Sequence, residues 1–583
     1  MKVTDTLAAI LKSNGVGHVF GLQGGAVVHI FDSIEAHGIG VTYTHHEESA
    51  ALAAVAYAKA TENLGCAVVT TGPGATNAIT GLLAAWQDSV PCLFVSGQVR
   101  SQHTSYGRKV RQVGTQEVNI CDIVRPITKY CKFVESKESF VEDLRLALEI
   151  ARSGRPGPVW LDLPLDFQWG DIPFTSKLPA PLSKPAPMTD INSANAAVSL
   201  MQRSLRPLLI LGYGIRLAGH NALLGELIDK YNLPFVTTWT AADLFPTNEP
   251  LNLGILGMCG QRGANQAVFQ ADLLICLGTH LSIPHTTTLF DTYAPDSKKI
   301  IVNIDSDQLE NLNVNFDVKI NEDVNIFLQW LSTQNIPQYK CFETAEIKKQ
   351  NWYLPASTKS PNSNLYVRTL TERSIGPTCL VIDGGGTALY AGFQSSFLKK
   401  GDRIICSSAI SSMGTGLGET IGASKCEGFS KFLCVIGDGS FLMNIQDLQT
   451  IRQDNINVVI SVINNNGYLA IRHTQKEFLG GRYCGTHPEW NLTMPSIERL
   501  AYGFDIPYVR LDDAKDLNSV VENLLAKDGP VICEVVVDDS QDVLFKQAYK
   551  SNDDGTFSPQ PLSRMLPSLP DSLINDSVSN ELT

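Results

Sequence analysis

Residues 435–472 read VIGDGSFLMNIQDLQTIRQDNINVVISVINNNGYLAIR. An apolar strand is expected over 431–436, followed by a tight turn at Gly437-Asp438-Gly439. Phe441, Ile445, Leu448 and Ile451 then recur at helical spacing, which predicts one helix with a buried face. A second apolar strand over 458–463 ends at Asn464-Asn465. The stretch is therefore a βαβ unit whose polar residues lie at the carboxyl ends of two strands, where open α/β sheets bind ligands. One carboxylate and one amide oxygen suit Mg²⁺, a hard cation that takes few protein ligands and completes its shell with phosphate and water. Glycines beside the carboxylate allow backbone to approach a diphosphate, and a helix N-terminus favours its charge.

The same alternation runs outward through the chain. Over residues 1–171, strands are expected at 18–21, 41–44, 67–71, 92–96 and 158–163, with turns or helices between them. His46-Glu47-Glu48 follows the second of these, and Gly72-Pro73-Gly74-Ala75-Thr76-Asn77 follows the third. Residues 172–189 hold five prolines and read as an extended linker. A second α/β unit is expected over 190–335, a second linker over 336–361 and a third α/β unit over 362–545. Strands alternating with helices of this length imply an α/β chain of three doubly wound parallel-sheet domains. Gly157-Pro158-Val159 before one strand and Gly529-Pro530-Val531 before another are an echo expected of two similar sheets. Residues 546–583 read as a tail, mobile from Ser558 onward because Ser, Pro, Asn and Asp dominate there.

Composition narrows the class. With 583 residues the chain has length for three or four domains, and 44% hydrophobic residues suit large cores. A net charge of −13 argues against nucleic acid or an anionic membrane as the main partner. The 13 cysteines are odd in number, and no CxxC pair occurs, so neither a disulfide framework nor a zinc site is expected. No signal peptide or membrane span is read, and a cytoplasmic setting is expected. Gly212-Tyr213-Gly214 after the 208–211 strand is a weak nucleotide signal, and no Gly-x-Gly-x-x-Gly with a ribose-binding acid marks an NAD-linked oxidoreductase.

Gly-Asp-Gly alone says little, but here 24 residues of helix and strand separate it from Asn464-Asn465. That pattern resembles the thiamine diphosphate motif of the 2-oxoacid decarboxylase and acetolactate synthase family. The resemblance implies that Asp438 and the Asn465 side chain hold Mg²⁺, with the Gly467 carbonyl as third protein ligand. It also places Gly437, Gly439, Ser440 and Tyr468 at the cofactor. His46-Glu47, Ala50, Tyr57-Ala58 and residues 72–77 match the family's pyrimidine-binding domain in order and spacing. Position alone makes Glu47 a helix N-terminal charge; the resemblance makes it the acid that shares a proton with the aminopyrimidine. Gly24, Gly25, Pro73 and Asn77 are implied as cofactor-binding residues. Met413, in Ser411-Ser412-Met413-Gly414, is implied to prop the bent cofactor, with Ser411 in place of a usual Gly. Gln116 is implied near the reacting carbons, and Thr115 replaces a Phe. Lys129 reads either as a channel residue or as a surface lysine. Glu48 stands where the family often has Gln or Gly, and it reads as secondary and solvated.

The resemblance spans about residues 1–545. It implies a cofactor held between the first domain of one subunit and the third of another, hence a homodimer or homotetramer. The implied activity is decarboxylation of a 2-oxoacid, foremost pyruvate, with transfer of the two-carbon unit to a carbonyl acceptor. Acetyl transfer to a nucleotide-linked keto-deoxysugar, simple decarboxylation, and a catalytically silent regulatory subunit stay open. FAD in the middle domain also stays open, because acetolactate synthases bind it there and other members do not. Two departures bear on the acceptor. The arginine-bearing run that contacts FAD and the second 2-oxoacid is here Thr279-His280-Leu281-Ser282-Ile283-Pro284-His285. The acceptor-shaping Trp is here Thr474. Arg472, His473 and Arg482 are candidates to face acceptor phosphates, with a mixed-charge surface loop as the alternative.

Overall fold

The computed structural model describes residues 1–173, 188–219, 221–340, 344–352, 359–538, 541, 546–552 and 556–567. Three six-stranded sheets organise it, and every strand pair within them is parallel. The first sheet is built from β1 (His18–Gly21), β2 (Gly40–Tyr43), β3 (Gly65–Val69), β4 (Cys92–Gln98), β5 (Tyr130–Phe133) and β6 (Pro158–Pro164), in the order 2-1-3-4-6-5. The middle sheet holds β7 (Pro207–Leu211), β8 (Phe235–Thr237), β9 (Asn252–Ile255), β10 (Leu273–Leu277), β11 (Lys298–Asn303) and β12 (Val318–Asn321), in the order 12-11-10-7-8-9. The third holds β13 (Thr378–Ile382), β14 (Arg403–Ile405), β15 (Lys431–Gly437), β16 (Val458–Asn464), β17 (Tyr508–Leu511) and β18 (Val531–Val536), in the order 14-13-15-16-18-17.

The first and third sheets thus share one strand order. The two Gly-Pro-Val echoes lead into β6 and β18, which occupy the same place in their sheets. Central strands such as β4, β13 and β16 are buried along nearly their whole length. That burial explains why they read as continuous apolar runs rather than alternating ones, since helices cover both faces of a parallel sheet. In each outer sheet the order reverses beside the first strand, between β1 and β3 and between β13 and β15. Loops leaving these strand ends on opposite faces open a crevice there.

The outer domains of the chain pack on each other through two helices. The Glu47–Thr61 helix is rich in alanine and buried over nearly its whole length. It meets the Thr415–Ala423 helix, where Gly418 faces Ser49 and Leu52, and a Cβ on Gly422 would lie 1.9 Å from the Ala53 carbonyl oxygen. Small residues on both sides allow this approach. Buried Lys59 anchors the pair by donating to Asp88 Oδ2 at 2.7 Å and to the Cys406 carbonyl at 2.8 Å.

One expectation needs correction, and two further segments carry structure that their composition does not announce. The helix expected after Gly439 is broken into a turn at Asp438–Phe441, a 3₁₀ turn at Ile445–Asp447 and a helix at Leu448–Gln453. Asn444 sits at the break because its side chain bonds other segments, donating to the Gly414 carbonyl at 2.9 Å. The expected second linker over 336–361 contains regular structure. It carries the Thr344–Asn351 helix, whose Asn351 accepts from Gly263 N at 2.8 Å and donates to the Leu253 carbonyl at 2.7 Å. The start of the tail expected from Ser558 forms strands: Phe557–Pro559 pairs with Tyr549–Ser551, and Met565–Leu566 pairs with Lys546–Gln547. Met565 is buried, and its carbonyl accepts from Arg262 at 2.8 Å. Most of the first linker and residues 568–583 lie outside the described residues. Among the described residues, no helix is long and apolar enough to cross a membrane.

Candidate active site

The residues expected to bind diphosphate converge at the carboxyl ends of β13, β15 and β16. Asp438 is buried, and its two oxygens accept from Gly439 N at 2.8 Å and from Gly467 N at 2.9 Å. Burial pushes its carboxyl up to about 6, against the opposing pull of those N–H groups and of the Arg472 charge. Asn465 is only 4% exposed; its amide donates to Thr387 Oγ1 at 3.0 Å, while its Oδ1 has no hydrogen-bond partner. An unpartnered buried oxygen is costly unless something meets it. A buried carboxylate beside an orphaned amide oxygen is a donor set that fits a hard divalent cation, with Asp438, Asn465 and the Gly467 carbonyl as the residues to hold it. No group of three or more His, Cys, Asp or Glu side chains is gathered for a metal among the described residues.

Glycine is required around this centre by close approach. A Cβ on Gly439 would fall 2.2 Å from the Tyr468 ring, and Gly467 has φ of +124° with a Cβ position 2.3 Å from the Thr486 carbonyl oxygen. Ser440 is buried and bonds the Asp383 carboxylate. The turn that follows β13, Asp383-Gly384-Gly385-Gly386-Thr387, was not foreseen as part of the site. Asp383 is fully buried and accepts from Gly385 N at 3.3 Å and Gly416 N at 3.1 Å, and burial pushes its carboxyl up to about 6. A Cβ on Gly385 would lie 2.5 Å from Met413 Cγ, so Met413 is packed onto this turn. A strand followed by three glycines opening the Gly386–Ser395 helix was the signal available for it.

The second group gathers at the ends of β1, β2 and β3. Glu47 is buried at the start of its helix, accepts from Asn77 Nδ2 at 3.0 Å, and has Gly74 against its other oxygen. Gly24 sits tightly on Thr70, whereas a Cβ on Gly25 would meet open space. Pro73 is exposed at the first position of the Pro73–Asn77 turn. Gln116 is exposed, with φ of +61°, and its carbonyl packs on Gly72. The loop that carries it is braced by buried Glu117, which accepts from Ser105 N at 2.7 Å and Val113 N at 3.0 Å. Within one chain, Glu47 turns toward Asn77 while its neighbours reach the third domain. His46 Nδ1 lies 3.1 Å from Asn444 Oδ1, and His45 N donates to Asp447 Oδ1 at 2.8 Å. Glu48 is not solvated as expected; burial raises its carboxyl while His46 and Asn444 oppose the shift.

Two buried carboxylate centres at matching switch points of two like-ordered sheets agree with the sequence comparisons. The chain matches the thiamine pyrophosphate enzyme N-terminal TPP binding domain over residues 1–123, the central domain over 194–331 and the C-terminal TPP binding domain over 383–535. The chain belongs to the thiamine pyrophosphate enzyme family. It is 31% identical over 551 residues to the acetolactate synthase large subunit of Pyropia yezoensis, covering 91% of this chain and 90% of that one. It is 29% identical over 541 residues to the acetolactate synthase isozyme 2 large subunit of Escherichia coli K12 (91% and 95%). It is likewise 29% identical over 560 residues to a probable acetolactate synthase large subunit of Methanocaldococcus jannaschii (93% of each). The chain is thus a thiamine diphosphate-dependent enzyme of the acetolactate synthase-like kind.

Other side chains of this thiamine pyrophosphate enzyme fall outside the site. Lys129 donates to the carbonyls of Ile150 and Ser153 and so caps the Phe140–Arg152 helix. Arg472 does not face outward toward phosphates; it is buried against backbone carbonyls, while Arg482 is exposed. Thr474 is exposed and its hydroxyl bonds the Ala470 carbonyl at 3.2 Å. In the middle domain the open question of FAD turns on the Gly212-Tyr213-Gly214 turn at the end of β7 and on the 279–285 segment. The Gly212-Tyr213-Gly214 turn is filled by Gly278, whose carbonyl accepts from Gly214 N at 3.0 Å. Met258 N donates to the Pro284 carbonyl at 2.8 Å. Burial lowers His280 to about 4 and His285 to about 3, so neither carries charge for a diphosphate at neutral pH. Asp305, past β11, is paired with Arg155 at 3.1 Å.

Proposed function

We propose that this protein is a Mg²⁺-dependent, flavin-independent carboligase that decarboxylates pyruvate or a close 2-oxoacid and joins the two-carbon unit to a carbonyl acceptor. The observation that carries the reading is the pairing of an orphaned Asn465 Oδ1 with the buried Asp438 carboxylate, in a chain that also keeps Glu47 buried beside Asn77. A regulatory subunit would need no proton-sharing acid. Bound thiamine diphosphate supplies a carbon nucleophile and an electron sink. Asp438, Asn465 and the Gly467 carbonyl would hold Mg²⁺ at the diphosphate, and Gly385, Gly437 and Gly439 would keep space for it. Met413 would support the bend between the rings. Glu47 would hold the proton at the pyrimidine nitrogen N1′, oriented by Asn77, as general acid–base catalysis requires. Gln116 would face the reacting carbons.

The enzyme is proposed to work in the cytoplasm as a homodimer or homotetramer, each site taking Glu47 from one chain and Asp438 from another. Acetolactate formation is the first reaction to assay. A keto-sugar acceptor is favoured as the second reading by the missing arginine in 279–285 and by the exposed Thr474. Product analysis with labelled pyruvate, alone and with keto-sugar nucleotides, tests both. Labelled acetolactate, or a labelled branched sugar, supports carboligation. Release of acetaldehyde alone, or no consumption of pyruvate with Mg²⁺ and thiamine diphosphate present, refutes it. A purified protein with flavin absorbance near the visible blue would refute flavin independence.

A further inference from the structure

Arg472 is 6% exposed, on the first turn of the Leu469–Phe478 helix. Its Nη2 donates to the Asn465 carbonyl at 2.8 Å, and its Nη1 donates to the carbonyls of Thr486 at 2.9 Å and Asn466 at 3.3 Å. Two of these carbonyls immediately precede Gly467, whose N–H reaches Asp438 at 2.9 Å, and the third packs against it. The Thr486 carbonyl also accepts from Tyr468 N at 3.0 Å. One guanidinium therefore joins the backbone just before Gly467 to the Thr486 carbonyl of the loop that packs over it, and that same carbonyl holds Tyr468 just after it. A planar fork of five donors holds several carbonyls at fixed angles, which a single ammonium cannot reproduce.

Gln475 lies on the same helix face, three residues on. Its Nε2 donates to the Cys484 carbonyl at 3.0 Å, and its Oε1 accepts from Thr486 Oγ1 at 3.2 Å. Two side chains thus fasten the 484–486 segment, but of the two it is Arg472 that also reaches the 465–467 turn.

We propose that Arg472 is the positioning residue of the cation site formed by Asp438, Asn465 and Gly467, acting by holding the backbone of that turn rather than by touching acceptor or cofactor. The proposal rests on the Mg²⁺ reading given above. Partners that orient metal ligands characteristically change affinity by about 10- to 100-fold when removed. The test is Mg²⁺ titration of metal-free full-length protein at saturating thiamine diphosphate, followed by quenching of tryptophan fluorescence. Arg472→Met is expected to raise the half-loading Mg²⁺ concentration by about 10- to 100-fold, and Arg472→Lys by about 3- to 10-fold. Gln475→Ala, which releases the loop and leaves the turn held, is expected to stay within about twofold of wild type. Should Arg472→Met fail to fold, Arg472→Lys carries the test. Loading of Arg472→Lys at the wild-type Mg²⁺ concentration overturns the proposal. So does an equal loss in Gln475→Ala, which would assign the effect to loop anchoring. Wild-type loading that ignores Mg²⁺ would instead overturn the cation site itself.

Discussion

Replacing Glu47 by Gln changes one atom of the arrangement at the end of β2. The side chain keeps its volume, and Asn77 Nδ2, now 3.0 Å from a carboxylate oxygen, can still donate to the amide oxygen of Gln. The structural loss is one charge-assisted bond becoming a neutral one, about 1 kcal/mol. Thiamine diphosphate should therefore still bind, since Asp438 and Asn465 are untouched. What disappears is the group proposed to share a proton with the pyrimidine. Positioned general acid–base groups contribute about 10²- to 10⁴-fold, which corresponds to about 3–5 kcal/mol of barrier. Pyruvate consumption should fall by that factor at unchanged cofactor affinity. Exchange of the thiazolium C2 proton with deuterated solvent, followed by NMR of the cofactor after acid quench, reads the same step without any acceptor. Asn77→Ala keeps the acid and removes its orienting donor, so a smaller loss of about tenfold is expected. C2 exchange in Glu47→Gln at the wild-type rate would refute the assignment of Glu47.

Other predictions concern stability as well as loading. Asn465→Leu removes the orphaned Oδ1 and the bond to Thr387, effects of about 1–3 and about 1 kcal/mol of opposite sign. The metal-free variant should match or exceed wild type in denaturant midpoint while losing Mg²⁺-dependent cofactor loading; a clear drop in stability would contradict the unpartnered oxygen. Burial raises the Glu419 carboxyl to about 7 from an ordinary value of 4.5, opposed by Lys59 and by Ser407. The folded protein therefore holds a proton that the unfolded chain releases, so this contribution to stability is full below 4.5 and is lost as pH rises to 7, by about 3 kcal/mol at most. Glu419→Gln should flatten that fall, with a gain at pH 8 and none at pH 4.5 in urea unfolding. Lys59→Met leaves buried Asp88 without its cation and should cost about 3–5 kcal/mol, read from the same unfolding curves.

Much of this was legible in local pattern. The 24-residue gap between Gly439 and Asn464 spans one helical segment and one strand, which by itself puts Asp438 and Asn465 at neighbouring strand ends. The Gly-Pro-Val echo anticipated two sheets of one order. What stayed hidden depends on contacts distant in sequence. Asp383-Gly384-Gly385-Gly386 becomes part of the site because β13 lies beside β15, and because Gly384 and Gly385 pack on Ser412 and Met413. Arg472 looked like a solvent-facing charge because nothing local shows that Thr486 folds back onto Gly467. The helix expected through Ile445 failed where Asn444 gives its side chain to Gly414 and His46, a tertiary competition that helical spacing cannot register. The tail was judged by composition alone, yet Met565 finds a buried place beside Asn265.

The central claim is that the Asp438 centre is half of a site completed by Glu47 of another chain. Mixing Glu47→Gln with Asp438→Asn, after dissociation and reassembly monitored by native mass spectrometry, tests it most directly. Each variant alone should be nearly inactive. Random reassembly gives half mixed dimers, each with one intact site of two, so pyruvate consumption should recover to about a quarter of wild type. A mixture in which hybrids form but activity stays at the level of the separate variants would contradict the account and place both halves of the site within one chain.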